Sequence, residues 1–180
     1  DFMLYFSSEQ TGEIRKLTKA REIWNEFVAS NYKTAEPGIM FWSRMKKYSP
    51  SDYVGFPIIT TNPCSEVPLE DGGACNLGSI NLSRFVIYPF TENAKIDYSL
   101  LKKVVIYAIR FLDDVVEWNI LLNPLEKQRE ASRKTRRIGL GIMGIADMFI
   151  QLLVDYDSDK AIQILERVMK LIANAAYYTS

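Results

Sequence analysis

Apolar residues recur at helical spacing in several long stretches of the chain, separated by shorter β-branched runs. Leu17, Ala20, Ile23, Trp24, Phe27, Val28 and Tyr32 share one helical face before Glu36, Pro37 and Gly38 stop the pattern, so an amphipathic helix is expected over residues 17–35. Ile39 to Trp42 is a short apolar run, and GFPIITT at residues 55–61 predicts a buried strand. Residues 62–74 hold two prolines, two adjacent glycines and three acids. That composition opposes helix and predicts an ordered loop. Strand character resumes over residues 75–86.

The strongest helical pattern covers residues 98–122, through Leu101, Val104, Val105, Ala108, Ile109, Leu112, Val115, Val116 and Ile120, and Asn123 and Pro124 close it. LEKQREASRKTRR at residues 125–137 reads as a solvated helix or turn, and residues 138–153 as another apolar helix. Asp157 or Ser158 can cap a last helix whose face carries Ala161, Ile164, Leu165, Val168, Met169, Leu171, Ile172 and Ala175. Four or five helices and two or three strands, with the strands in the first half, give a mixed, helix-rich α/β class.

Composition narrows the chemistry. With 180 residues, 48% of them hydrophobic, the chain can bury a core of one domain, and 22 basic against 22 acidic residues point to neither a nucleic-acid polymer nor an anionic membrane as partner. No apolar run approaches a membrane span and the first residues lack the order of a signal peptide, so a cytoplasmic protein is expected. Histidine is absent, which excludes Ser-His and Cys-His triads and Cys2His2 metal sites built within this chain. Cys64 and Cys75 remain as the reactive groups. A start at Asp1 and an end inside a helical pattern at Thr179 and Ser180 suggest a segment of something longer.

Asn62, Cys64 and Glu66 stand at alternate positions. In an extended segment they project to one side, so an amide, a thiol and a carboxyl can face one small ligand. Pro63 restricts Asn62 to extended conformations. Cys75 follows eleven residues after Cys64, beyond Gly72 and Gly73, which permit the chain to turn back and set two thiols on neighbouring strands.

NPCSEVPLEDGGACNLGSINL, residues 62–82, resembles the radical-bearing loop of ribonucleotide reductase catalytic chains, with an Asn-x-Cys-x-Glu tip and a second cysteine opening CNLGSINL. RKTRRIGLGIMGIADM at residues 133–148 supports the resemblance, as does AREIWNEFVASNYKTAEPGIMFW at residues 20–42. The short cysteine spacing is most similar to the adenosylcobalamin-dependent class. The resemblance implies that residues 1–180 are one internal segment of a ten-stranded α/β barrel domain, with the central finger loop at 62–75 and a helical part at 98–180. It implies that Cys64 carries a thiyl radical, Glu66 acts as general base on the 3′ hydroxyl with burial raising its pKa, and Asn62 hydrogen-bonds substrate. Cys75 is then one half of a redox dithiol whose partner cysteine lies outside this chain. Further implications are a ribonucleoside di- or triphosphate substrate, adenosylcobalamin as cofactor with no metal bound directly by this chain, and a thioredoxin-like or glutaredoxin-like reductant. The remainder of the reductase chain is a required partner, the full enzyme is expected to be a homo-oligomer, and the isolated segment is expected to be inactive.

Plainer readings compete. Cys64 and Cys75, with Glu66, could form a thiol-redox or metal module, a structural disulfide, or a vestigial loop on a helical scaffold. GLGIMG satisfies GxGxxG through Gly139, Gly141 and Gly144, but RKTRR rather than an apolar strand precedes it, so small residues packing a helix closely is the better reading. The basic run of Arg129, Arg133, Lys134, Arg136 and Arg137 reads as a solvated face before phosphate binding. Tyr177 and Tyr178 read as core packing.

Overall fold

In the computed structural model, which describes residues 1–180, the chain separates into two units, Asp1–Met45 and Lys46–Ser180. In the first, β1 (Met3–Ser7) and β2 (Ile14–Lys19) form an antiparallel hairpin and lead directly into α1 (Ala20–Thr34). The helix therefore starts later than its apolar spacing suggests. Leu17 belongs to β2, because pairing with β1 takes up the backbone of residues 14–19. The amphipathic stripe of α1 exists, yet none of its residues is buried. The apolar run at 39–42 ends in α2 (Trp42–Tyr48).

The second unit takes in the end of α2 and continues with the short α3 (Pro50–Tyr53). Only the end of the expected strand at 55–61 pairs, as β3 (Thr60–Thr61) against β4 (Pro68–Leu69). Ile58 is buried as a strand residue would be, at 1% exposure, but its N–H donates to Asp52 Oδ2 rather than to a neighbouring strand. β5 (Asn76–Asn81) passes into a 3-10 turn at Leu82–Phe85, then into the small hairpin of β6 (Val86–Ile87) and β7 (Lys95–Ile96). α4 (Tyr98–Leu122) occupies the range its periodicity predicts and is capped by Asp97, whose carboxylate accepts from Leu100 N–H at 2.9 Å. α5 (Glu126–Thr135) follows.

Residues 138–153 are not one helix. They form β8 (Ile138–Met143), then α6 (Ile145–Gln151). The reason lies in IGLGIM: Gly alternates with branched residues, and two glycines within six residues weaken a helix while period two satisfies a strand. β8 lies parallel to β5, with Asn76 opposite Ile138 and Asn81 opposite Met143. Parallel neighbours need a crossover, which α4 and α5 supply. The strands are thus not confined to the first half, and 98–180 is not wholly helical.

Asn76, Gly78 and Ile80 of β5 share a face, and a Cβ on Gly78 would stand 3.6 Å from the Leu112 side chain of α4. On α4, Leu101, Val105, Ile109, Leu112, Val116 and Ile120 form one buried stripe. α7 (Asp159–Thr179), capped by Ser158 as expected, packs against α4 through Ala161, Val168, Ile172 and Ala175. Met148 and Phe149 of α6 complete the core. Tyr177 and Tyr178 lie outside it, 84% and 90% exposed, because they stand beyond Ala175, the last buried residue of α7. Core packing is therefore not their role within this chain.

Leu101 is fully buried in this core, so Leu101→Ala is expected to destabilise by about 2–5 kcal/mol in urea unfolding. Tyr107→Ala, on the exposed side of the same helix, is expected to stay within about 0.5 kcal/mol of the parent.

Candidate active site

The hairpin of β3 and β4 carries Asn62, Cys64 and Glu66 at its tip, as a turn rather than an extended segment. Ser65 N–H donates to Asn62 O at 3.0 Å, closing a turn with Pro63 at the position where its fixed φ is favoured. Ser65 has φ +69°, and Asn62 N–H donates to Val67 O at 3.2 Å. Projection of alternate residues from an extended strand therefore does not describe this tip. The three residues are instead gathered within one tight loop. The Asn62 side chain faces inward along it, its Oδ1 accepting from Val67 N–H at 2.9 Å. That bond leaves the Asn62 Nδ2 group free of protein partners, while Cys64 and Glu66 are exposed. Burial of Glu66, a condition attached to its role as base, is not provided within this chain.

Cys75 sits one residue before β5 and is half-buried. Its sulfur lies on the sheet face opposite α4: a Cβ on Gly139 would approach Cys75 Sγ to 3.6 Å and Leu77 Cδ2 to 2.6 Å, while one on Gly141 would meet Ser79 Oγ at 3.4 Å. GLGIMG thus places its first two glycines inside a strand, where they leave this face low and open; Leu77 and Met143 on it are 57% and 54% exposed. The reading of a closely packed helix does not hold. Gly144 caps α6 in the left-handed region at φ +72°, with Asn81 Oδ1 so close that a Cβ would overlap it.

Burial pushes the Cys75 thiol above its ordinary range, the Arg137 charge pulls it down, and the carboxylates of Glu70 and Glu66 push it up. The carboxylate at the hairpin tip therefore bears on the second thiol. Glu70, just after β4, is a residue that sequence reasoning passed over. It is 5% exposed, and it accepts from the Thr135 hydroxyl at 2.8 Å and from Arg137 Nη2 at 2.6 Å. Burial pushes its carboxyl up, but hydrogen bonds from its own backbone, Thr135 and Arg137, with the Arg137 charge, outweigh this and hold it below the usual range. Its only sequence signal was an acid within an apolar and glycine-rich stretch.

The basic run is likewise more than a solvated face. Arg136 binds Asp113 through two hydrogen bonds of 3.0 Å and Glu117 at 2.8 Å, Arg129 donates to Asn123 O at 2.6 Å, and Arg137 holds Glu70. The Arg136 and Arg137 bonds tie α4 and the hairpin to the start of β8, and the Arg129 bond ties α5 to the end of α4. Both cysteines are free thiols, and no three of the Cys, Asp and Glu side chains are grouped to hold a metal ion. No helix is long and apolar enough to cross a membrane.

A parallel strand pair covered on one side by helix, a cysteine opening the first strand, and a second cysteine on the tip of a separate hairpin define a two-thiol α/β segment. Residues 3–180 match the family model described as ribonucleotide reductase, barrel domain, and the chain belongs to that family. It is 43% identical over 171 residues to a vitamin B12-dependent ribonucleoside-diphosphate reductase of Thermoplasma acidophilum, covering 95% of this chain and 21% of that protein. A protein of the same name from Mycobacterium tuberculosis is 36% identical over 95% of this chain and 24% of its own length. The ribonucleoside-diphosphate reductase subunit alpha of Chlamydia pneumoniae is 33% identical over 98% of this chain and 17% of its length. The chain thus spans about a fifth of the length of the curated relatives it matches.

Because the folded-state Glu70 carboxyl sits below its ordinary 4.5, its contribution to stability is complete above that pH and is lost as pH falls through the lowered value. Glu70→Gln is expected to remove that part of the acid limb when urea midpoints are compared between pH 7 and pH 3.

Proposed function

We propose that this chain is part of the catalytic subunit of a ribonucleotide reductase, converting a ribonucleoside diphosphate to the deoxyribonucleotide by thiyl-radical chemistry. The observation that supports it most is the hairpin that gathers Asn62, Cys64 and Glu66 in one exposed turn, within a chain whose residues 3–180 match the ribonucleotide reductase barrel domain. In this reading residues 1–180 form one segment of a ten-stranded barrel domain, and the hairpin is the finger loop inserted through it. The face of β5 and β8 bearing Cys75, Gly139 and Gly141 then turns toward the barrel interior, where its low profile leaves space for a sugar.

Cys64, as a thiyl radical, takes the 3′ hydrogen atom and returns it to the 3′ carbon once the 2′ carbon is reduced, which restores the thiyl. Glu66 receives the proton of the 3′ hydroxyl and gives it back at the same stage. Asn62, whose Oδ1 is occupied by Val67 N–H, offers its Nδ2 hydrogens to the substrate. Cys75 and a cysteine outside this chain provide two hydrogens and two electrons, the 2′ oxygen leaves as water, and the two sulfurs join as a disulfide. Closure of the barrel around the tip would supply the burial that Glu66 lacks here.

The vitamin B12-dependent relatives point to adenosylcobalamin, which when bound supplies homolytic radical generation. An exposed thiol at a loop tip suits that role, since hydrogen must pass from sulfur to a group outside this chain. No side chain here is assigned to hold the cofactor. A thioredoxin-like or glutaredoxin-like dithiol in the cytoplasm regenerates Cys75, and the working enzyme is a homo-oligomer of the longer chain.

In the full reductase chain, Cys64→Ser is expected to abolish deoxynucleotide formation while substrate still binds, read by product chromatography and equilibrium binding. Cys75→Ser is expected to end sustained turnover with an external dithiol. Undiminished turnover of Cys64→Ser would sink the radical assignment.

A further inference from the structure

Arg137 precedes β8 by one residue as Cys75 precedes β5, and with Asn76 opposite Ile138 both adjoin the same end of the parallel pair. The sulfur lies over the space left by Gly139, two residues beyond Arg137. The guanidinium is fixed: Nη2 donates to Glu70 Oε2 at 2.6 Å, and Glu70 Oε1 is itself held by the Thr135 hydroxyl. Its Nε is buried without a hydrogen-bond partner, so its position is set by the carboxylate and not by optimal pairing of the guanidinium. At 5% exposure of Glu70 the pair is poorly screened, and a fixed charge there reaches its neighbours strongly.

We propose that Arg137 is a positioning residue for Cys75, acting through the charge that Glu70 and Thr135 hold beside the sulfur, and that it favours departure of Cys75 as a thiolate when the catalytic disulfide is reopened. The proposal rests on the redox role given to Cys75 above. In the step concerned, a thiolate of an external dithiol attacks the partner cysteine's sulfur and forms a bond to it. The bond to Cys75 breaks, and the electron pair leaves on Cys75, which then takes up a proton. The second thiol of the external reagent closes that reagent's own disulfide and frees the partner sulfur, two electrons having passed in all. A better stabilised leaving thiolate departs faster. The charges facing Cys75 are Arg137 from the start of β8, Glu70 from the end of β4 and Glu66 from the hairpin tip, and Arg137 is the cation among them.

The test is alkylation of Cys75 by iodoacetamide against pH, followed by mass spectrometry of its peptide in the full protein carrying Cys64→Ser. Arg137→Gln is expected to move the midpoint to higher pH and slow alkylation at pH 7 by about threefold or more. Glu70→Gln, which releases the guanidinium charge from its counter-ion, is expected to move it to lower pH and speed alkylation. Arg137→Lys, tethered by the same carboxylate, stays near the parent. Opposite signs for the two halves of one ion pair separate charge from packing, because loosening the fold would expose the thiol in both; Glu70→Gln carries the sign alone should Arg137→Gln not fold. Unchanged midpoints, or shifts in the same direction, overturn the proposal. In the otherwise unsubstituted reductase, Arg137→Gln is also expected to slow reopening of the disulfide by dithiothreitol. Sustained turnover by Cys75→Ser would instead overturn the redox reading, an outcome distinct from loss of turnover in Cys75→Ser together with unmoved Cys75 midpoints in the Arg137 and Glu70 variants, which overturns the positioning role alone.

Discussion

Parallel pairing of β5 with β8 is the constraint on which the second unit depends. Two parallel strands cannot be joined by a tight turn, so the chain must leave β5, climb a long helix and return. α4 does this, and its buried stripe covers one face of the pair. The opposite face is left with Cys75 at its edge and glycines where side chains would otherwise stand. Cys75 and the core thereby fall on different sides of the same two strands.

An ion pair joins the hairpin to this pair of strands. Glu70 follows β4 and Arg137 precedes β8, and their contact at 2.6 Å joins residues 67 positions apart in sequence. Removing either member of a buried pair leaves the other uncompensated, at a cost of about 3–5 kcal/mol. Arg136, turned the other way at φ +43°, anchors to Asp113 and Glu117 of α4. Adjacent arginines thus fix the start of β8 to two elements, which sets the height of the strand relative to β5 and hence the place of Gly139 beneath the sulfur.

The long helices were legible because their period persists. α4 occupies its expected range and α7 its expected cap, since 20 or more residues of one stripe outweigh any local ambiguity. β8 was not legible as a strand: Ile, Leu, Ile and Met read equally as a helix face, and only the alternation with glycine marked a strand. Leu17 misled in the opposite sense, fitting a helical stripe while its backbone was committed to a hairpin. At the site, the residue types of the tip were readable but their geometry was not. A left-handed Ser65 turns the loop, and no rule of alternation anticipates it. Glu70 escaped notice, and Arg137 was read only as part of a solvated basic run, because a buried ion pair is created by tertiary contact and carries no local sequence signature.

Gly139 shapes this face for a reason other than backbone freedom. Its φ is ordinary, and a Cβ there would lie 2.6 Å from the end of the exposed Leu77 side chain across the strand pair, which would have to swing aside to admit it. Bulk at the two positions is therefore drawn from a single allowance. A chain that trimmed the residue facing this glycine could carry a methyl here without disturbing either strand, and the contour beside the sulfur would pass from one strand to the other.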